Sequence, residues 1–258
     1  MAENPVLHQM NPQSRFSNRA EDYAKYRPSY APEAIDCIVA GLEGKDQLIA
    51  ADIGAGTGIS SRLLADRGVK VIAIEPNEAM RQVAEAHPLV EFRDGNAEAT
   101  KLLDNSMDLI TCFQAFHWFD FEPTLKEFAR ILKAKGKIAL LWNDRDIEGN
   151  DQFTLEHNDI IIQAASKSPI LSRLGGKSDL FINSLFPKLT HYIFPYQQAL
   201  TKNALIGLAM SASYIPKVGN KYQQLIADLT QLHQKYSNSQ GLVFLHYKTS
   251  LYLTESPL

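Results

Sequence analysis

Three glycines at every second position, Gly54, Gly56 and Gly58, follow an apolar run at residues 48–53 and precede a helical pattern at 57–67. Glycine lets a chain turn sharply and brings its backbone within contact distance of a ligand. A short apolar run closed by such a turn reads as a strand buried on both faces. Further strands are expected at residues 70–75, 90–93, 107–113 and 137–142, and helices at 32–41, 77–87 and 122–132. The helix at 32–41 has Pro32 at its start and Gly41 at its end, and Asn77 is the expected N-cap of 77–87. Strands alternating with helices imply right-handed crossovers and a parallel sheet.

Beyond residue 142 the alternation changes. Residues 151–166, 179–185, 203–210 and 221–236 read as helical, and 191–198 and 242–253 as strands. The expected fold is α/β: a Rossmann-like doubly wound sheet, mostly parallel with an antiparallel last strand, and a helical cap. Residues 1–31 form an arm or lid, 32–145 the ligand-binding core, and 146–258 the cap plus two strands that complete the sheet. The arm is rich in aromatics and arginines: Phe16, Arg19, Tyr23, Tyr26, Arg27 and Tyr30.

Composition narrows the partners. A net charge of −3 leaves no basic excess for phosphates, which argues against a nucleic-acid partner. Cys37 and Cys112 are spaced for neither zinc nor a disulfide framework, and the seven histidines show no ligand spacing, so no metal is expected. The apolar run at 138–142 is far too short to span a bilayer, and no apolar leader opens the sequence. The expectation is a cytoplasmic monomer or weak dimer acting on a small molecule, with no membrane partner.

Glu75 ends the second strand, 21 residues after Gly54. A carboxylate there can accept hydrogen bonds from the ribose hydroxyls of an adenosine. A dinucleotide fingerprint needs a third glycine where Ile59 stands. A phosphate-binding loop also fails, because Leu171 occupies its first glycine position before Gly176-Lys177-Ser178. S-adenosylmethionine carries no phosphate, and Asp52 is placed to orient its ammonium directly or through water.

These residues bear a family resemblance. The series Tyr23-Ala24-Lys25-Tyr26-Arg27-Pro28, the turn at 52–58, Ile74-Glu75-Pro76, Gly95-Asn96-Ala97-Glu98, Ser106-Met107-Asp108 and Phe116-His117-Trp118-Phe119-Asp120 resembles class I methyltransferases of the small-molecule type 11 group. Trans-aconitate methyltransferases are among those it is similar to. The resemblance covers residues 15–145 and implies S-adenosylmethionine as cofactor. Gly54, Ala55 and Gly56 would lie under its methionine end, and Glu75 with Pro76 at the ribose. Asn96, Ala97 and Glu98 would flank the adenine, with Asn96 where Asp is commoner. Gln114 and Ala115 would approach the methyl, and Tyr26 and Arg27 the methionine carboxylate. For the substrate pocket it implies Tyr23, His117, Trp118, Asn143, Ser213 and Tyr214.

The loop at 113–118 lacks both the Asn/Asp-Pro-Pro-aromatic segment and the Pro-Cys nucleophile of base-methylating enzymes. His117 has two readings, a general base or a packing histidine, the second preferred. Trp118 is read as core before substrate platform. The expected activity is methyl transfer to a small molecule, with carboxylates among the acceptors. The alternatives are a non-catalytic S-adenosylmethionine-binding regulator and, behind it, an NAD-linked oxidoreductase.

Overall fold

β4 (Met107–Phe113) is buried at all seven positions. A strand covered on both faces belongs in the middle of a sheet flanked by helices. In the computed structural model, which describes residues 16–42, 47–165 and 189–255, β4 does lie there. β1 (Ile49–Ile53), β2 (Lys70–Ile74), β3 (Val90–Arg93), β5 (Leu132–Arg145), β6 (Thr190–Leu200) and β7 (Val243–Glu255) complete a sheet of order β3-β2-β1-β4-β5-β7-β6. The first five strands run parallel, and β7 is antiparallel to both β5 and β6. Strand order reverses between β1 and β4, so the loops leaving those strands flank the point where such sheets bind ligands.

Alternate residues of the strands feed opposite faces. Ile53, Ile74, Ile110 and Leu140 pack with Leu125 and Phe128 of α5 (Phe121–Ile131). Ala50, Val71, Leu109 and Leu141 pack with Ile35 and Ile38 of α2 (Pro32–Val39) and Leu64 of α3 (Ile59–Ala65). A third cluster joins α6 (Gln152–Ala164), α7 (Lys202–Met210) and α8 (Asn220–Tyr236) to Val243, Leu245 and Tyr247 of β7. The early half of β7 therefore carries the cap, while its Leu251 belongs to the core beneath α2. Edge strand β6 contains Pro195, which an edge tolerates because no neighbour needs its missing N–H.

Three elements differ from their expected extent. β5 runs over Leu132–Arg145 instead of 137–142: at its start Leu132 pairs with Met107 of β4 ahead of an irregularity in register, and at its end β7 pairs with it through Arg145. α4 (Glu78–Gln82) stops short of residue 87; Pro88 disfavours a helical His87, and the chain must return to β3. The arm contains a helix, α1 (Ala20–Tyr26), preceded by a single 3-10 turn at Ser17–Arg19. The helix expected at 179–185 lies outside the described residues. Among the described residues no helix is long and apolar enough to cross a membrane.

Candidate active site at the strand-order reversal

The glycine turn is built by backbone geometry. Gly54, Gly56 and Gly58 have φ of 72°, 58° and 75°, the left-handed region that side chains rarely adopt. Gly54 N–H donates to the Ile74 carbonyl at 2.8 Å, fastening the turn to β2. A Cβ on Gly54 would fall 2.7 Å from the Cβ of Ala115, so here the loops after β1 and β4 touch.

Glu75 closes the turn from the other side. Its carboxylate accepts Gly56 N–H and Asn77 N–H, each at 2.8 Å, and is 8% exposed. Burial pushes its pKa up, and the two amides pull it back. Asn77 caps α4 through Met80 N–H and donates to Ser17 Oγ of the arm at 3.0 Å.

Asp52 does not sit where a ligand contact was expected. It is fully buried, and its carboxylate accepts Ser60 Oγ and Ser61 Oγ at 2.6 Å and Thr111 Oγ1 at 2.8 Å. Three hydroxyl donors from α3 and β4 surround it, so it shapes the turn from behind. Burial raises its pKa, against the lowering by those hydroxyls.

The loop after β4 begins at Gln114, whose φ of 57° is positive although it is not glycine. Its Nε2 donates to the Asn143 carbonyl at 3.1 Å, and Ala115 beside it is buried. Trp142 Nε1 donates to His117 Nδ1 at 3.1 Å. An indole only donates, so the Nδ1 lone pair is taken and neutral His117 carries its proton on Nε2. That geometry opposes the general-base reading of His117 and agrees with the packing one. Trp118 meets Phe16 edge-on at 6.0 Å, and Phe16 meets Tyr23 at 6.1 Å.

In the segment expected to flank the adenine, Asn96 Oδ1 accepts Ala99 N–H at 2.8 Å, Ala97 is buried, and Glu98 accepts Asp120 N–H at 3.0 Å. The Asn96 carboxamide oxygen is thus shared with a local turn. Pro76 is half-buried between Glu75 and Asn77.

The arm lies between core and cap. Tyr23 reaches toward Gly56, and Arg27 stacks over the Tyr23 ring at 4.9 Å. Arg19 donates to the Met210 and Ile215 carbonyls at 2.5 and 2.7 Å, at the end of α7 and just beyond it. Tyr26 packs so closely on Gly207 that a Cβ there would fall 2.2 Å from its ring. Ser213 and Tyr214 follow α7; Tyr214 packs against the cap cluster and interacts electrostatically with buried Tyr247. Contacts thus join Tyr23 to Gly56, Gly56 to Glu75, Gly54 to Ala115 and Gln114 to Asn143 around the strand-order reversal. Ser17, Ser29, Arg145 and Thr249, which bond to Asn77, Asn143, Asn158 and Asn143, escape sequence reasoning, because isolated polar residues on separate elements carry no motif.

Residues 51–140 match the model of a methyltransferase domain. An uncharacterized methyltransferase-like protein of Schizosaccharomyces pombe is 31% identical over 254 residues, spanning 93% of this chain and 94% of its own. The chain belongs to the methyltransferase family. An uncharacterized methyltransferase of Mycobacterium tuberculosis is 32% identical to this methyltransferase over 232 residues, covering 88% and 90% of the two chains. Its fold is shared with a putative type II methyltransferase from Anaeromyxobacter dehalogenans, at 19% identity and a TM-score of 0.64 over 90% of this chain and 97% of that one. Family membership makes the chain an S-adenosylmethionine-dependent enzyme and removes the NAD-linked alternative.

Proposed function

We propose that this methyltransferase transfers a methyl group to a small-molecule carboxylic acid, in a site that the arm covers. The observation carrying the acceptor class is a pair of arginines without carboxylate partners among the described residues. Arg27 bonds the Ser211 carbonyl at 3.3 Å and Arg145 bonds Asn158 Oδ1 at 2.9 Å, both neutral oxygens. Arg27 Nε is buried with no acceptor among the described residues. Both guanidiniums act electrostatically on the buried Tyr247 hydroxyl, in support of a common positive environment. A buried donor of this kind favours a ligand that brings an anionic acceptor. Two cations suit two anions, the carboxylate of the methyl donor and that of the acceptor. The resemblance to trans-aconitate methyltransferases points the same way.

The residues at the turn fit S-adenosylmethionine. A Cβ on Gly56 would lie 3.4 Å from Met80 Cε and 4.0 Å from Tyr23 Cε1, so the absent side chain keeps the backbone open beneath the arm. Gly54, Ala55 and Gly56 would hold the methionine end, Glu75 and Pro76 the ribose, and Asn96, Ala97 and Glu98 the adenine edge. Gln114 and Ala115 would face the methyl. Bound there, the sulfonium supplies an electrophilic methyl and a neutral leaving group. The chain's own residues orient the reactants in line and keep water away. Phe16, Tyr23 and Trp118 supply an aromatic cover, and a tyrosine face beside a cation adds about 0.5–2 kcal/mol. Tyr23, Trp118, Asn143, Ser213 and Tyr214 shape the acceptor's side. A carboxylate is ionised at neutral pH, so it needs no base, in keeping with the Nε2–H tautomer of His117.

The test has two stages. Calorimetry should show S-adenosylhomocysteine binding more tightly than NAD. Labelled methyl should then pass to oxygens within a panel of small carboxylic acids, and the product esters should hydrolyse in base. Transfer confined to amines or alcohols would overturn the acceptor class.

A further inference from the structure

Asn143 stands where β5 has lost its β4 neighbour, since pairing of the two strands ends at Phe113 opposite Leu141. Beyond that point the Gln114 side chain takes the place of a strand, its Nε2 donating to the Asn143 carbonyl at 3.1 Å. Gln114 holds a φ of 57°, which costs a non-glycine residue about 1–3 kcal/mol, so contacts rather than preference keep it there. The Asn143 side chain is buried. Its Nδ2 donates to the Ser29 carbonyl at 2.7 Å, and its Oδ1 accepts Thr249 Oγ1 at 2.6 Å. Thr249 Oγ1 in turn accepts Ala31 N–H at 3.4 Å. Every role is forced: the Ser29 carbonyl can only accept, so the amide nitrogen faces it and leaves Oδ1 to take the Thr249 hydroxyl proton, while that hydroxyl's oxygen accepts Ala31 N–H. One residue thereby joins the loop after β4, the arm and β7.

The other end of the arm is fastened in the same manner. Asn77 donates to Ser17 Oγ, and its own N–H rests on Glu75. Between the two ties the arm is held to the cap through Arg19 on the Met210 and Ile215 carbonyls, and to β6 through Gln198 Nε2 on the Tyr26 carbonyl at 3.0 Å.

We propose that Asn143 is a positioning residue that couples ligand occupancy at Gln114 to closure of the arm at Ser29. The proposal rests on the reading that Gln114 lines the methyl-donor site. A ligand that orders Gln114 steadies the Asn143 carbonyl, and with it the side chain that grips Ser29. Linkage is reciprocal, so a closed arm strengthens binding by the factor with which binding closes the arm.

The arm offers trypsin Arg19 and Lys25, whereas Arg27 precedes Pro28 and resists it, and cleavage there reads closure in the full chain without an acceptor. Gln114→Asn tolerates a positive φ but is one methylene too short to reach the Asn143 carbonyl. Asn143→Asp keeps an acceptor for Thr249 and turns a carboxylate oxygen toward the Ser29 carbonyl. S-adenosylhomocysteine should slow arm cleavage about ten-fold in the parent protein, a size common for coupled sites. In Gln114→Asn, held at S-adenosylhomocysteine concentrations that saturate it by calorimetry, protection should fall below about two-fold. Asn143→Asp should be cut quickly with or without ligand, and its affinity should fall by the factor of protection lost. If Asn143→Asp does not fold, Gln114→Asn decides alone. Undiminished protection in Gln114→Asn overturns the coupling, as does absent protection in a parent protein that binds the ligand by calorimetry. A parent protein that binds no S-adenosylhomocysteine is a different result: it removes the methyl-donor site itself and the coupling with it.

Discussion

Replacing Glu75 by Gln changes one oxygen for an NH2 group and separates two roles of this side chain. The carboxylate accepts two backbone amides at 2.8 Å and is 8% exposed. Gln retains one acceptor, so either Gly56 N–H or Asn77 N–H must face a second donor. An unsatisfied buried amide costs about 1–3 kcal/mol. For a chain of this length each kcal/mol lowers Tm by about 2–4 °C, so the expected drop is about 2–12 °C. The ligand separately loses a charged acceptor for its ribose hydroxyls, which is worth about 1.5–3 kcal/mol. Affinity for S-adenosylhomocysteine should therefore weaken by about 10–150-fold. Thermal melts without ligand measure the first effect, and calorimetry well below the melting range measures the second. A Glu75→Gln variant that melts with the parent and binds within about two-fold would refute both the backbone role and the ribose role.

Two further outcomes follow from the same geometry. Gly56→Val should weaken S-adenosylhomocysteine binding in calorimetry and lower Tm by several degrees, since φ is 58° there and a valine would fill the space below Tyr23; parent-like affinity would mean that the ligand does not approach this turn. His157 is buried with neither ring nitrogen partnered among the described residues, and burial, then the nearby Arg145 charge, holds its pKa well below 6.5. The unfolded chain then binds the extra proton, so stability falls as pH drops through about 6.5, by at most about 1.4 kcal/mol per pH unit. Denaturant melts of His157→Leu between pH 7 and 5 should show a shallower loss than the parent, and equal slopes would assign the acid sensitivity elsewhere.

How much of this was legible in sequence depended on whether the determining contacts are local. The seven-residue run of β4, the glycines at 54, 56 and 58 and the placement of Glu75 are patterns within single elements, and each appears where it was expected. The antiparallel last strand was also anticipated. Extents were less legible. β5 lengthens because Leu132 pairs with Met107 of β4 at one end and because β7, which begins 98 residues after β5 ends, pairs beside it at the other. Asp52 looked like a ligand contact because it precedes the turn, yet two serines of α3 and a threonine of β4 claim its oxygens. Likewise, no spacing in the sequence announces that Trp142 occupies Nδ1 of His117.

The sequence by itself determined the sheet's alternation and the turn at its centre, because hydrophobic period and glycine spacing act over a few residues, and its series of motifs carried the family resemblance. Tertiary structure alone decided how the arm is tied down. Ser17 meets Asn77, Ser29 meets Asn143 and Arg19 meets the far end of α7, pairs 60, 114 and 191 residues apart. Each is one polar group satisfying another after burial has excluded water, and burial exists only once sheet and cap have packed.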